Sequence, residues 1–261
     1  MSVVSEEQEP SRFAGRESDR SDLLAIQEFI DESYISEVLN VVKSGKEATV
    51  YRCRAHRSLG AEFAIAKVYH DHTHRAFGRS GMYEEGRQMG PGQVRRAVAR
   101  RTEFGREAQL AMWVDHEFEL LSSLNYAGAD VPAPYACTER AILMEEIGGR
   151  DGPAVQLQHA TIPLDKAQGV LDRIFWNVEL LMRENVVRAD LSAFNILWDG
   201  ARATVIDLPQ GVDARTNQNA RLLLERDLRN VASYFSRYPV EPMDVRQMAG
   251  NLWDLWQAGE L

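Results

Sequence analysis

The stretch VVRADLSAFNILWDG, residues 186–200, decides the fold. Asp190 stands five residues before Asn195, and an apolar run and an Asp-Gly turn follow. A second run, ATVIDL, comes shortly after the turn and ends near Asp207. If the two runs pair as a hairpin, Asn195 and Asp207 come to the same open end. Such oxygen ligands suit Mg²⁺, and Asp190 could orient a nucleophile or accept its proton.

Two charged residues upstream stand among apolar neighbours. Lys67 lies in EFAIAKVYH, residues 62–70, where alternation predicts a strand with Ala64 and Ala66 on the opposite face. Glu117 falls on the apolar stripe of a helix predicted from about Glu107 to Leu124. Burying either charge alone would cost several kcal/mol, so we expect the two to pair. The alternative is a lysine that snorkels to solvent and a glutamate at the edge of the stripe.

The turn at residues 44–47 is a second candidate for binding phosphate. It separates two β-rich runs in LNVVKSGKEATVYRC and is predicted to close a hairpin. The segment lacks the glycine and hydroxyl spacing of a Walker A loop. As a hairpin turn, Ser44 and Lys46 could still offer a hydroxyl and a charge to phosphate, the alternative being an ordinary exposed hairpin.

Composition and charge limit the function classes. The chain has 261 residues and a net charge of -9, which argues against general nucleic-acid binding. Two cysteines without a CxxC pair exclude a disulfide framework or a cysteine zinc site. No apolar run reaches the roughly 18 residues of a membrane span, and the N-terminus lacks an apolar signal region, so a cytoplasmic location is expected.

The order of elements predicts an α+β protein in two parts. Residues 1–20 read as a disordered polar tail, and a helix is predicted from Ser21. Residues 21–149 form a small β-rich lobe, and residues 150–261 form a helical lobe. Residues 75–106 carry eight arginines against three glutamates and predict a flexible loop, either simply solvated or in contact with phosphates. Three alternating histidines precede this loop, His70, His72 and His74, and an extended chain would put them on one side; the lack of a nearby cysteine or fourth ligand argues against a metal site there.

Together these features resemble the RIO kinases, an atypical protein-kinase family, over about residues 21–238. The resemblance implies a bilobal protein-kinase-like fold. Only 54 residues follow Asp207, which leaves little room for an activation segment or peptide-docking helices. The segments that carry the resemblance are SGKEATVYRC (44–53), AIAKVY (64–69), RAFGRSGMYEEGR (75–87), WVDHEFELLSSLNYAGADVPAP (113–134), ADLSAFNILW (189–198), VIDLPQGVD (205–213) and LLERDLRNVASYF (223–235).

The resemblance implies a RIO-type serine/threonine kinase or ATPase that uses ATP and Mg²⁺. It also implies a protein phosphoacceptor or a ribosomal particle as partner, contacted through residues 75–106. The oligomeric state does not follow from it. The implied site residues are Asp190, Lys67 and Glu117 for catalysis; Ser44, Lys46, Lys67, Met144, Glu145 and Ile147 for the nucleotide, the last three cradling adenine; and Asn195 and Asp207 for the metal.

Two departures from the RIO pattern, and one difference from ordinary protein kinases that the RIO family shares, leave the activity open. Arg188 stands where the family usually has His, and Ala193 replaces an acidic residue. Ser192 stands where ordinary protein kinases keep a lysine on the transferred phosphoryl group, which predicts a slow kinase or an ATPase. The alternatives are an aminoglycoside-type small-molecule phosphotransferase and a nucleotide-binding scaffold without turnover. Ser192 and the sequence after Asp207 count against the former, and only Arg188 favours the latter.

Overall fold

A five-stranded antiparallel sheet dominates the first part of the computed structural model, which describes residues 17–70, 100, 102–149, 152–208 and 211–261. The strand order is β1-β2-β3-β5-β4. The strands are β1 (Ile35–Ser44), β2 (Ala48–Ala55), β3 (Phe63–Tyr69), β4 (Pro134–Cys137) and β5 (Ala141–Glu145). The hairpin predicted around residues 44–47 is confirmed, since Gly45 N donates to Ala48 O at 2.9 Å.

Five helices accompany this sheet within the described residues. They are α1 (Glu17–Asp31), α2 (Glu103–Tyr126), α3 (Ala167–Arg183), α4 (Ala220–Phe235) and α5 (Val245–Ala258). Short strands connect them: β6 (Gly148–Gly149), β7 (Gly152–Pro153), β8 (Val155–Gln156), β9 (Val186–Val187), β10 (Ile196–Trp198), β11 (Ala203–Val205) and β12 (Val212–Asp213). This order of elements confirms the predicted α+β class. None of the described helices is long and apolar enough to cross a membrane.

The alternation predicted for β3 is confirmed. Ala64 and Ala66 are fully buried on the face that packs with Ile26 and Phe29 of α1. Lys67 lies on the opposite face, beside Ile142 of β5. The helix α1 therefore covers one side of the sheet and leaves the lysine side for the rest of the chain.

Helix α2 carries the predicted apolar stripe but begins earlier than predicted. Its buried residues include Leu110, Val114, Glu117, Leu121 and Leu124, all foreseen from helical spacing. The helix starts at Glu103, so the prediction of a loop up to residue 106 is wrong for 103–106. Thr102 caps the first turn by accepting a hydrogen bond from Gly105 N at 3.1 Å. Residues 75–99 and 101 lie outside the described residues.

The remaining boundaries differ from prediction by a few residues. The helix α1 begins at Glu17, so residues 17–20 are helical rather than part of the predicted tail; residues 1–16 lie outside the description. Apolar periodicity starts only at Leu23, which is why it gave no sign of the first turn. Helix α3 buries all four predicted inward residues, Val170, Ile174, Val178 and Leu181. The lobe boundary near residue 149 stays a prediction.

Candidate active site

Lys67 joins two carboxylates from distant parts of the chain. Its Nζ donates to Glu117 Oε1 of α2 at 2.9 Å and to Asp207 Oδ1 at 2.7 Å. The Lys67 side chain is 13% exposed and that of Glu117 only 4%, whereas that of Asp207 is 41% exposed. The expected pair of Lys67 and Glu117 therefore forms, and Asp207 opens the cluster to solvent.

Opposite charges in this cluster counteract the effect of burial on the pKa of each member. Burial would lower the pKa of Lys67, but Asp207 and Glu117 outweigh it and raise that pKa. Burial likewise raises the pKa of Asp207, yet the charges of Lys67 and Arg188 bring it down to about 2. Burial raises the pKa of Glu117, although Lys67 opposes the shift. Asp207 is consequently an anion at any ordinary pH.

The hairpin after Asn195 brings the expected oxygen ligands to one end. Strands β10 and β11 are antiparallel, with Ile196 opposite Val205, and Ile206 N donates to Asn195 O at 2.9 Å. Asn195 Nδ2 donates to Asp190 O at 2.9 Å and to Asp190 Oδ2 at 3.2 Å. An ionised carboxylate and an amide oxygen are hard ligands that fit Mg²⁺. Asp190, Asn195 and Asp207 therefore lie together as the hairpin predicted.

Two residues of the site have unusual backbone conformations. Ala189 has φ 65° and Asp207 has φ 64°, a left-handed region that non-glycine residues seldom adopt. Such conformations persist only where surrounding contacts hold them, and they concentrate at functional sites. Ala189 directly precedes Asp190, the predicted catalytic residue, and Asp207 is itself a predicted metal ligand.

Asp227 of α4 holds the backbone conformation of Ala189 and was not predicted from the sequence as a site residue. Its Oδ2 accepts from Ala189 N at 2.7 Å and its Oδ1 accepts from Leu191 N at 2.9 Å. The backbone around Asp190 is thus fixed on both sides. Asp227 lies between Leu224 and Leu228 on the buried face of α4. An acidic residue on an apolar stripe is the same sequence signal that predicted the inward position of Glu117, and it could have identified Asp227 as well.

The turn at residues 44–47 contacts His70, the residue that follows β3, because His70 Nδ1 lies 3.4 Å from Lys46 O. Ser44 and Lys46 are exposed, and Ser44 Oγ lies 3.4 Å from Thr49 Oγ1. Thr49 Oγ1 in turn lies 2.8 Å from His70 Nε2. Burial, followed by repulsion from Asp207, raises the pKa of Glu47, which places this carboxylate near the cluster. Glu47, like Asp227, was not predicted from the sequence as a site residue.

The three alternating histidines lie only partly within the part of the chain that the structure describes. His70 is hydrogen-bonded to Thr49, and His72 and His74 lie outside that part. Within the described ranges, no group of three or more His, Cys, Asp or Glu side chains is arranged to hold a metal. A site of Asn195 and Asp207 has only two protein ligands and would rely on substrate phosphates and water.

The residues expected to cradle adenine lie at the end of β5 and directly after it. Ile147 is buried, while Met144 and Glu145 are half-buried. Between them, Glu146 accepts two hydrogen bonds from Arg52 of β2, at 2.7 and 2.8 Å. Arg52 also donates to Gly149 O at 3.2 Å. This fork ties the sheet to the connection that leaves it, and sequence spacing alone offered no sign of it.

Comparisons with known proteins agree on one family. A protein-family model described as the RIO domain matches residues 49–248. The RIO-type serine/threonine-protein kinase Rio1 of Thermoplasma acidophilum is 32% identical over 138 residues, which cover 52% of this chain and 71% of the relative. The Rio1 of Haloferax volcanii is 29% identical over 84% of this chain and 70% of its own length.

A human relative and a solved structure extend the likeness. The human serine/threonine-protein kinase RIO1 is 26% identical over 82% of this chain but only 36% of its own length. The crystal structure of the Rio2 kinase from Chaetomium thermophilum, in an ADP/Mg²⁺-phosphoaspartate complex, aligns with a TM-score of 0.62. It shares 17% identity and covers 91% of this chain and 70% of that one, so this likeness concerns the fold.

Proposed function

The chain belongs to the RIO domain family, that of the RIO-type serine/threonine kinases, and on that premise we propose that it transfers the γ-phosphoryl group of ATP with the help of Mg²⁺. One observation carries the proposal: Lys67 bonds at once to Glu117 and Asp207, with Asp190 and Asn195 at the adjoining end of the β10–β11 hairpin. A lysine and a helix glutamate paired in this way are the phosphate-holding device of kinases.

In the proposed mechanism each residue has one task. Lys67 binds the nucleotide phosphates, and Glu117 fixes the position of its ammonium group. Asn195 and Asp207 would hold Mg²⁺, which would neutralise charge on the phosphates. Asp190 orients the attacking hydroxyl and takes its proton. Asp190 can do this because its backbone is anchored and its carboxylate is held by Asn195 Nδ2.

The nucleotide would extend from this cluster towards the connection after β5. Ser44 and Lys46 would contact its phosphates from the β1–β2 turn. Met144, Glu145 and Ile147 would cradle adenine. The fork between Arg52 and Glu146 supports this assignment, because it keeps the connection close to the sheet.

The balance between kinase and ATPase activity depends on Ser192. Its backbone O accepts from Asn195 N at 2.9 Å, so it belongs to the loop that carries Asp190. A serine there supplies no cation to the transferred phosphoryl group, and the expected transfer is slow. The phosphoacceptor would be a protein or a ribosomal particle that residues 75–106 contact. The cytoplasmic location expected from the sequence stays a prediction.

Incubation with γ-labelled ATP tests the proposal. We expect Mg²⁺-dependent release or transfer of label by the native chain, and its loss in Asp190→Asn and Asp207→Asn. Asp172→Asn, an exposed position on α3, is the matched control and should keep the activity. Nucleotide binding without turnover in the native chain would contradict the proposal and leave a scaffold. Efficient transfer to aminoglycosides would instead favour a small-molecule phosphotransferase.

A further inference from the structure

Both backbone polar groups of Ile206, the residue before Asp207, are hydrogen-bonded. Ile206 N donates to Asn195 O at 2.9 Å. Arg188 Nη2 donates to Ile206 O at 3.3 Å, and this carbonyl belongs to the peptide that joins Ile206 to Asp207. Arg188 therefore reaches from the loop that carries Asp190 to the loop that carries Asp207.

The conformation of Asp207 makes this contact consequential. With φ at 64°, Asp207 lies in the left-handed region, and its carboxylate meets Lys67 Nζ at 2.7 Å. Rotation of the 206–207 peptide would let φ return to ordinary negative values and would turn the carboxylate away from Lys67. A donor fixed on Ile206 O opposes that rotation.

Arg188 is itself firmly embedded. It is 3% exposed, and its Nε and Nη1 have no hydrogen-bond partner among the described residues. Its charge helps to lower the pKa of Asp207 and opposes the burial that raises the pKa of Glu117 and Asp227. The guanidinium thus has two effects that can be separated. Its charge stabilises the ionised forms of three carboxylates, and its hydrogen bond holds the carbonyl of Ile206 in place.

We propose that Arg188 is the positioning residue for the metal ligand Asp207, acting through its hydrogen bond to Ile206 O rather than through charge alone. This inference rests on the proposed function, in which Asp207 is a ligand of Mg²⁺. In this chain the residue that departs from the family's usual histidine is then part of a working site rather than a sign of its loss.

Arg188→Lys separates reach from charge. Lysine keeps the cation that the buried carboxylates need, but it is shorter and lacks the planar fork, so it falls short of Ile206 O. The matched control is Arg140→Lys, because Arg140 Nη2 also donates to a backbone carbonyl, Tyr69 O at 3.4 Å, outside the proposed site. Both variants retain the net charge of the chain.

The first measurement is a calorimetric Mg²⁺ titration of each protein in the presence of ADP. We expect Arg188→Lys to weaken the apparent Mg²⁺ affinity by about tenfold or more, as for other residues that orient a metal ligand. ADP affinity without Mg²⁺ should stay within about twofold of native, since Lys67 and its partner remain. Native Mg²⁺ affinity in Arg188→Lys would overturn the inference, and so would an equal loss of metal-free ADP binding.

The second measurement is amide hydrogen exchange in the protein without nucleotide or metal. We expect the amide of Ile206 to exchange about tenfold faster in Arg188→Lys than in Arg140→Lys, because one hydrogen bond from a charged donor has been removed. Equal exchange would overturn the inference. If the native chain binds no Mg²⁺ with nucleotide, the proposed function fails while this exchange experiment still tests the contact.

Discussion

Replacing Asp227 by asparagine should loosen the loop that carries Asp190. The carboxylate accepts one hydrogen bond on each oxygen, from Ala189 N at 2.7 Å and from Leu191 N at 2.9 Å. Asparagine has the same shape but only one oxygen, and its amide group would face the second N–H with another donor. One buried backbone donor therefore loses its acceptor.

The structure gives the size of this effect. A buried donor without a partner costs about 1–3 kcal/mol, so the free energy of unfolding should fall by about that amount. Ala189 at φ 65° is one of the two residues anchored, and freeing it lets Asp190 move. Displacement of a catalytic group by about 1 Å can lower the rate about 100-fold, so we expect kcat to fall 10- to 100-fold with a smaller change in KM.

The assay is equilibrium urea unfolding together with steady-state ATP turnover at pH 8. Burial raises the pKa of Asp227 to about 7 against the opposing backbone hydrogen bonds, so at this pH the carboxylate is ionised and accepts from both amides. Asp172→Asn on the exposed face of α3 is the control. Should Asp227→Asn unfold within about 0.5 kcal/mol of that control and keep its kcat, the anchoring role would be refuted.

Three further perturbations act on other contacts. Glu117→Gln should lower the free energy of unfolding by about 1–3 kcal/mol. This is less than the roughly 3–5 kcal/mol expected for a buried charge without any partner, because Lys67 keeps its hydrogen bond to Asp207. An unchanged KM for ATP would count against the role of the Lys67–Glu117 pair. The lowered pKa of Asp207 adds stability that is present above about pH 4 and is lost as pH falls towards 2. At 41% exposure this is about 1 kcal/mol, and acid titration of Asp207→Asn should lack that loss. Arg52→Lys should cost about 1–2 kcal/mol in urea unfolding and weaken ADP binding, since lysine cannot reproduce the fork on Glu146; native values for both would exclude that role.

Local patterns were sufficient for much of the site. The period of two in β3 put Lys67 opposite Ala64 and Ala66, and the helical period of α2 turned Glu117 inward. Both follow from backbone geometry, which depends on neighbours in sequence. The errors at Glu103 and Glu17 arose because apolar periodicity reports where a helix is buried and not where it begins.

Contacts between distant segments could not be read in the same way. The anchoring of Ala189 by Asp227 joins positions 38 residues apart, and the fork between Arg52 and Glu146 joins positions 94 apart. An acidic residue on a stripe indicates that a partner is needed but does not identify it. The partner depends on how the helices and sheet pack.

The sequence by itself determined that VVRADLSAFNILWDG would end in a hairpin with Asn195 and Asp207 at one end, because turn residues and alternation act locally. Only the tertiary structure showed what Arg188 contacts. Its contact with Ile206 O joins two loops through residues that are 18 positions apart in the chain. The sequence therefore shows only that Arg188 replaces the histidine usual in the family. The structure shows that its guanidinium contacts the backbone next to Asp207.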